Sequence, residues 1–211
     1  MRTLVTLLFT AAAALLAEEY KSAVGGTPPA DLSASVSALL NKEGTQVMKD
    51  GQLLAEVWYR AEVPSGPASS EANLTMPNVP HGSLLAVIRF VQKHEDRRGQ
   101  GIAPGVYTMR YSYFPENGTH QGAAPQRDFL LLVPAAGDTD GSATPNFEAL
   151  LTLSRKASGT PHPAVFSLWK EDPKFYKEGT MEKQGEHDWV LMRKMGVVPV
   201  SLILAGRGGE G

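Results

Sequence analysis

The stretch Thr45–Arg60, TQVMKDGQLLAEVWYR, decides the fold. Two extended runs flank Asp50-Gly51. An Asp-Gly pair suits a two-residue turn in which both positions need φ > 0, and it is the strongest short-range sign of a β-hairpin. Outward from this hairpin the period-two pattern continues. LLAVIRFVQ (Leu84–Gln92) is apolar on both alternating faces, as a strand in the middle of a sheet would be. VYTMRYSY alternates, with Tyr107, Met109, Tyr111 and Tyr113 on one face and Thr108, Arg110 and Ser112 on the other. The second face reads as solvated, so the tyrosines are expected to point inward. Further strands are expected at Phe129–Val133, Ala164–Trp169, Trp189–Arg193 and Val200–Ala205.

Two segments break this rhythm at helical spacing. DLSASVSALLNKEG offers Asp31 as N-cap, an apolar stripe of Leu32, Val36, Leu39 and Leu40, and Gly44 as a stop. TPNFEALLTLSRKASG offers Thr144 as N-cap and Pro145 at the first helical position. Phe147, Leu150, Leu151 and Ser154 form its one face, and Gly159 is placed to end it in the left-handed region. Seven or eight strands that do not alternate regularly with helices disfavour a doubly wound parallel sheet. They predict a mainly β chain folded as a two-layer antiparallel β-sandwich, Ig-like or jelly-roll-like, with two short helices.

At 211 residues and 42% hydrophobic content the chain can bury one substantial core. The expected layout is a signal peptide at 1–17, a flexible spacer at 18–30, one β-sandwich domain at 31–206 and a disordered tail at 207–211. The segment Val63–Ser83 is long, rich in Pro and Ser and aperiodic. Loops of that length are usually functional or mobile.

MRTLVTLLFTAAAALLA, followed by the polar EEYKS, has one positive charge, an apolar run from Thr3 to Ala17 and small residues before Glu18. That pattern describes a secretory signal peptide, whose apolar run falls short of the roughly 20 residues of a membrane span. The chain is therefore expected to be periplasmic or extracellular, with no membrane insertion after cleavage of the leader; an uncleaved anchor is the other possibility. Cysteine is absent, so disulfides and thiol-linked lipid are excluded. Without Arg2, 19 basic residues face 22 acidic ones and no basic cluster tracks a face, so a nucleic-acid partner is not expected. Two Asn-x-Thr triplets, at Asn73 and Asn117, matter only in a host that glycosylates.

IAPGVYTMRYSYFPENGTHQGAAPQRDFLLLVPA resembles a group of uncharacterised exported proteins from bacteria such as Acidobacteria and Planctomycetes. In that group a strand of the form P/A-G-x-Y-T-L precedes a loop of the form G-x-H-x-G-x-x-P-x-R-D-F. LAEVWYR (Leu54–Arg60), SGTPHPAVFSL (Ser158–Leu168) and EHDWVL (Glu186–Leu191) fit it too, so the resemblance covers most of the mature chain. The strand element is also similar to a larger family of secreted bacterial sandwich domains. The resemblance implies fold and export, and no reaction.

Few residues are candidates for chemistry. His120 lies in the loop NGTHQGAAPQRDF, while His162 and His187 each precede a predicted strand. If these three converge at one rim of the sandwich they could hold copper or zinc, with Asp128 or Met109 as an extra ligand. Their spacing carries no local ligand signature, which favours three separate turn histidines. Arg127 and Asp128 are candidate ligand contacts together with His120. In the plainer reading Asp128 accepts backbone N–H groups and Arg127 forks onto carbonyls or a carboxylate, so that both hold the loop in shape. Ser112 or Ser158 with His120 and Asp128 can be written as a hydrolase set, but no nucleophile elbow supports it. The strand aromatics, Trp58, Phe90 and Phe166 among them, are expected in the core rather than as a sugar-binding platform. The preferred reading is a non-enzymatic binding or accessory module whose partner is a glycan, a peptide or an envelope protein, with no cofactor. The alternative is a metal-binding protein or metalloenzyme using His120, His162 and His187 with copper or zinc.

Overall fold

Asp50 (φ 50°) and Gly51 (φ 79°) do take the left-handed conformations that a two-residue hairpin turn requires. In the computed structural model, which describes residues 19–114 and 126–208, they join β2 (Thr45–Lys49) to β3 (Gln52–Tyr59), with Lys49 opposite Gln52. The other strands are β1 (Tyr20–Val24), β4 (Leu84–Phe90), β5 (His94–Glu95), β6 (Gly101–Ile102), β7 (Gly105–Tyr113), β8 (Asp128–Pro134), β9 (Val165–Ser167), β10 (Thr180–Gln184), β11 (Asp188–Met195) and β12 (Val198–Ala205). Helices α1 (Ala34–Ser37) and α2 (Phe147–Ser158) complete the chain, with a single 3-10 turn at Ala135–Gly137.

All pairings between these strands are antiparallel. A curled seven-stranded sheet, in the order β1-β2-β3-β4-β7-β8-β9, faces a three-stranded sheet, β10-β11-β12. The β5–β6 hairpin is an inserted corner. The architecture is thus mainly β, two-layered and antiparallel with two helices. The sheets meet at their edges. Leu168 bridges to Leu202, Trp169 N donates to the Ser201 carbonyl at 2.8 Å, and Ser22 Oγ donates to the Gly179 carbonyl at 2.6 Å. Between the sheets lies one core, to which Val57, Ile88, Met109, Leu130, Leu191 and Leu202 contribute.

The outside of the large sheet is covered as well. Near α1, Val36 and Leu40 pack with Trp58, Leu84 and Val87. Leu150 of α2 packs with Phe129, Leu131 and Val133 of β8. Thr108, Arg110 and Ser112, expected to be solvated, are consequently fully buried. Arg110 tolerates burial because all five of its N–H donors find acceptors. It forks onto Asp138 (Nε–Oδ2 2.6 Å, Nη2–Oδ1 2.7 Å) and donates to the carbonyls of Gly82, Ala143 and Asp140 at 2.8, 2.6 and 2.7 Å. Alternation shows which face a residue joins, and does not show what later covers that face.

Four boundaries differ from expectation. The spacer at 18–30 supplies edge strand β1: Tyr20 is buried, its ring 5.2 Å from that of Trp189, and five residues pair with β2. Helix α1 spans only Ala34–Ser37 and its cap is Ser33, whose Oγ accepts from Val36 N at 3.2 Å. Beyond it the backbone turns to the strands: Leu40 bridges Arg60, and Leu39 O accepts from Ala61 N at 2.9 Å. Gly44 ends no helix. It lies beneath the Trp58 indole, where a Cβ would come within 2.4 Å of Nε1. Helix α2 is capped by Asn146 instead of Thr144, and Gly159 (φ 65°) ends it as expected. In the tail, Gly208 N is held by the Arg97 carbonyl at 2.8 Å, and 209–211 lie outside the described residues.

Candidate functional site

Asp128 opens β8 directly opposite Tyr113, on the inward face shared with Tyr111 and Leu130. It is fully buried. Its Oδ2 accepts from Thr75 N (2.8 Å), Thr75 Oγ1 (2.5 Å), Met76 N (3.1 Å) and the Tyr111 hydroxyl (2.9 Å). Its Oδ1, equally buried, has no hydrogen-bond partner among the described residues. A buried carboxylate oxygen without a donor is costly, because its hydration is lost and nothing replaces it. Burial first, and the Asp128 charge second, hold the Tyr111 phenol protonated well above its usual range.

Arg127, one residue earlier, holds the same loop from the other side. Its Nε and Nη2 donate to the Phe114 carbonyl at 2.9 and 2.7 Å, its Nη1 donates to the Ala72 carbonyl at 2.6 Å, and Nη2 meets Glu71 Oε2 at 2.5 Å. The two neighbours thus clasp residues 71–76. Asp128 does so with backbone N–H groups and Arg127 with carbonyls and a carboxylate. The clasped loop buries Met76 and Val79 in the core, and so closes this end of the sandwich.

His81 also belongs to this loop and was not singled out by residue pattern. Its Nε2 lies 3.0 Å from Ser112 Oγ, and its ring is edge-on to Tyr113 at 5.5 Å and tilted against Phe147 at 6.1 Å. Burial lowers its pKa, partly offset by a hydrogen bond to the Pro145 carbonyl. The only hint in the sequence was its place between Pro80 and Gly82 in an aperiodic segment. His81, Tyr113, Phe114 and Phe147 are half-buried and form an aromatic rim beside the clasp.

This His–Ser pair presents no open hydroxyl, because Ser112 is fully buried within a paired strand. Ser112 lies opposite Phe129 on the outer face, away from Asp128, so a Ser112–Asp128 hydrolase set is not assembled. The arrangement presents acceptors and aromatic faces, which suits recognition.

The candidate histidines are placed as follows. His120 lies outside the described residues, in the segment between Phe114 and Gln126. His162 and His187 are both exposed, His162 between α2 and β9, His187 in the β10–β11 turn with Nε2 3.6 Å from Glu186 Oε2. Strand registers pair Phe129 with Ser167 and Trp189 with Ala205. His162 and His187 therefore sit at one end of the strands, while the loop that carries His120 is attached at the other. Among the described residues no three metal-ligating side chains gather. Also among them, no helix is long and apolar enough to cross a membrane. No protein-family model, curated protein or solved structure matches the chain.

Proposed function

We propose that this chain is an exported, non-enzymatic binding or accessory module, and that it takes its ligand at the Asp128 end of the sandwich. The leader and the resemblance to exported bacterial proteins support export. One observation carries the binding reading: among the described residues, Asp128 Oδ1 is buried without a donor beside a half-buried aromatic rim. A ligand hydroxyl or amide N–H would supply that donor, while Tyr113 and Phe147 would flank an apolar face. Such chemistry suits a glycan, a peptide or a loop of an envelope protein.

Two experiments test this. Alkaline phosphatase fused after Gly208 becomes active only if the chain is exported, and deletion of residues 1–17 should abolish the signal. The chain is then screened against a glycan array, a tripeptide library and insoluble peptidoglycan. Asp128→Asn and Tyr113→Ala should each lose the hits while keeping native circular dichroism. Hits indifferent to both substitutions, or no hits at all, would sink the reading.

A further inference from the structure

Five carboxylates are buried among the described residues: Glu56, Asp96, Asp128, Asp138 and Asp188. Four of them are paired with an arginine. Arg89 meets Glu56, Arg97 meets Asp188 at 2.9 Å, Arg98 meets Asp96 at 3.0 Å and Arg110 meets Asp138 at 2.6 Å. Asp128 alone has no cation paired with it among the described residues, although it is the most deeply buried of the five.

Neutral donors stabilise a buried charge, whereas only an opposite charge cancels it. The groups that reach Asp128 are all neutral: two backbone amides and the hydroxyls of Thr75 and Tyr111, every one of them on Oδ2. The adjacent Arg127 directs its guanidinium to the Phe114 and Ala72 carbonyls and to Glu71. A proton would not complete the site, because on Oδ1 it would find no acceptor among the described residues. What is missing is a cation that also donates a hydrogen bond to Oδ1.

The surroundings fit an organic cation. A metal ion needs several further ligands, and no three metal-ligating side chains gather among the described residues. Tyr113 is the cross-strand partner of Asp128, and its ring lies 6.2 Å from that of Tyr111, whose hydroxyl meets Oδ2. Tyr113 is also edge-on to His81 at 5.5 Å, and Phe147 adjoins His81 at 6.1 Å. This run of half-buried rings adjoins the carboxylate, and it suits methylene groups by apolar contact and an ammonium by cation–π attraction. Full burial of Asp128 limits what can reach it. A terminal ammonium on a flexible stem passes the clasped loop more readily than a ring amine, which is crowded by its own substituents.

We propose that the Asp128 site recognises a primary alkylammonium at the end of a flexible stem, the chemistry shared by a lysine-type side chain and a free diamine. The ammonium donates to Oδ1 and supplies the charge that arginine supplies to the other four buried acids, while its stem lies along the aromatic rim. The inference rests on the binding reading of Asp128 above and adds to it the charge of the ligand.

The test is calorimetric titration of the full chain at physiological salt, which damps unspecific attraction. The probes are trilysine against its Nε-acetylated form, and cadaverine against 1,5-pentanediol. At least one ammonium probe should saturate and bind about ten-fold more tightly than its neutral counterpart. Saturation by trilysine alone identifies a peptide side chain as the source, and by cadaverine alone a free diamine. Asp128→Asn, which keeps an acceptor for the Thr75 and Met76 amides, should erase the preference for ammonium. In the unsubstituted chain the ammonium probe should shift hydrogen exchange of those two amides, and the neutral probe should not. If the neutral probes bind as tightly and Asp128→Asn weakens both kinds, the binding site stands and the ammonium inference falls. It falls as well if neither ammonium probe saturates, if the exchange of Thr75 and Met76 is unmoved, or if Asp128→Asn folds normally and keeps the preference.

Discussion

Two buried carboxylates bracket strand β7, and the fold treats them differently. On the outer face Asp138 receives the whole Arg110 fork together with the Thr108 hydroxyl, and both of its oxygens are satisfied. On the inner face Asp128 concentrates four neutral donors on Oδ2 and leaves Oδ1 bare among the described residues. Paired charge with every donor used is how a protein makes a polar interior purely structural. A half-satisfied carboxylate lacks that closure, and its bare side is where the proposed ligand would add a donor. The comparison separates scaffold from candidate site within one strand.

The largest expected effects fall on the scaffold side. Arg110→Met strands a buried charge, and Asp138→Asn turns an amide N–H toward the guanidinium. Each should cost about 3–5 kcal/mol in urea unfolding. The double variant Arg110→Met/Asp138→Leu should recover most of that loss. If it is no more stable than the single variants, the network is not the closed unit described above. On the other side, Asp128→Ala orphans the Thr75 and Met76 amides and should cost about 3 kcal/mol. Asp128→Asn keeps an acceptor for those donors and should cost only about 1–2 kcal/mol. Equal losses for Asp128→Asn and Asp138→Asn would erase the distinction.

How far this contrast could be read beforehand depends on separation along the chain. Asp50-Gly51, the double-faced Leu84–Phe90 and the inward Tyr107/Met109/Tyr111 face were legible, because each signal lies within a few neighbours. The burial of Arg110 was not. Asp138 lies 28 residues away, and its approach depends on a loop without periodicity. Strand β1 was missed because Tyr20–Val24 is short and followed by Gly and Pro; its pairing comes from a strand that begins at Thr45. Loop anchoring by Arg127 and Asp128 was legible as residue chemistry, while its target, residues 71–76, was not. His81 drew no attention because a lone histidine in an aperiodic loop carries no spacing.

Among the described residues, each end of the sandwich also holds one histidine of lowered pKa, His81 beside the clasp and His94 at the opposite end. In both cases burial is the leading cause. The unfolded chain then binds more protons than the folded one below the ordinary histidine value near 6.5. Stability should therefore be full above that pH and fall as pH drops through the window below it. Each histidine contributes at most about 1.4 kcal/mol per pH unit. Urea midpoints between pH 7.5 and 5 should show this slope. His94→Gln should flatten it more than His81→Gln, since His94 is only 9% exposed and His81 is half-buried. Equal flattening would mean that the clasp end is sealed as tightly as the His94 end.

The smallest effect probes how the clasp opens. The Glu71 side chain is 37% exposed, and Arg127 keeps its bonds to the Phe114 and Ala72 carbonyls without it. Glu71→Gln should therefore change global stability by no more than about 0.5 kcal/mol, as for other solvent-screened pairs. Local opening is a different quantity. Thr75 and Met76 amides are bonded to Asp128, so their hydrogen exchange reports release of the loop separately from global unfolding. Glu71→Gln should leave that exchange nearly unchanged, while Asp128→Asn should accelerate it more than its global cost explains. The reverse order would place the latch on the Arg127 side and move the candidate site away from the bare oxygen of Asp128.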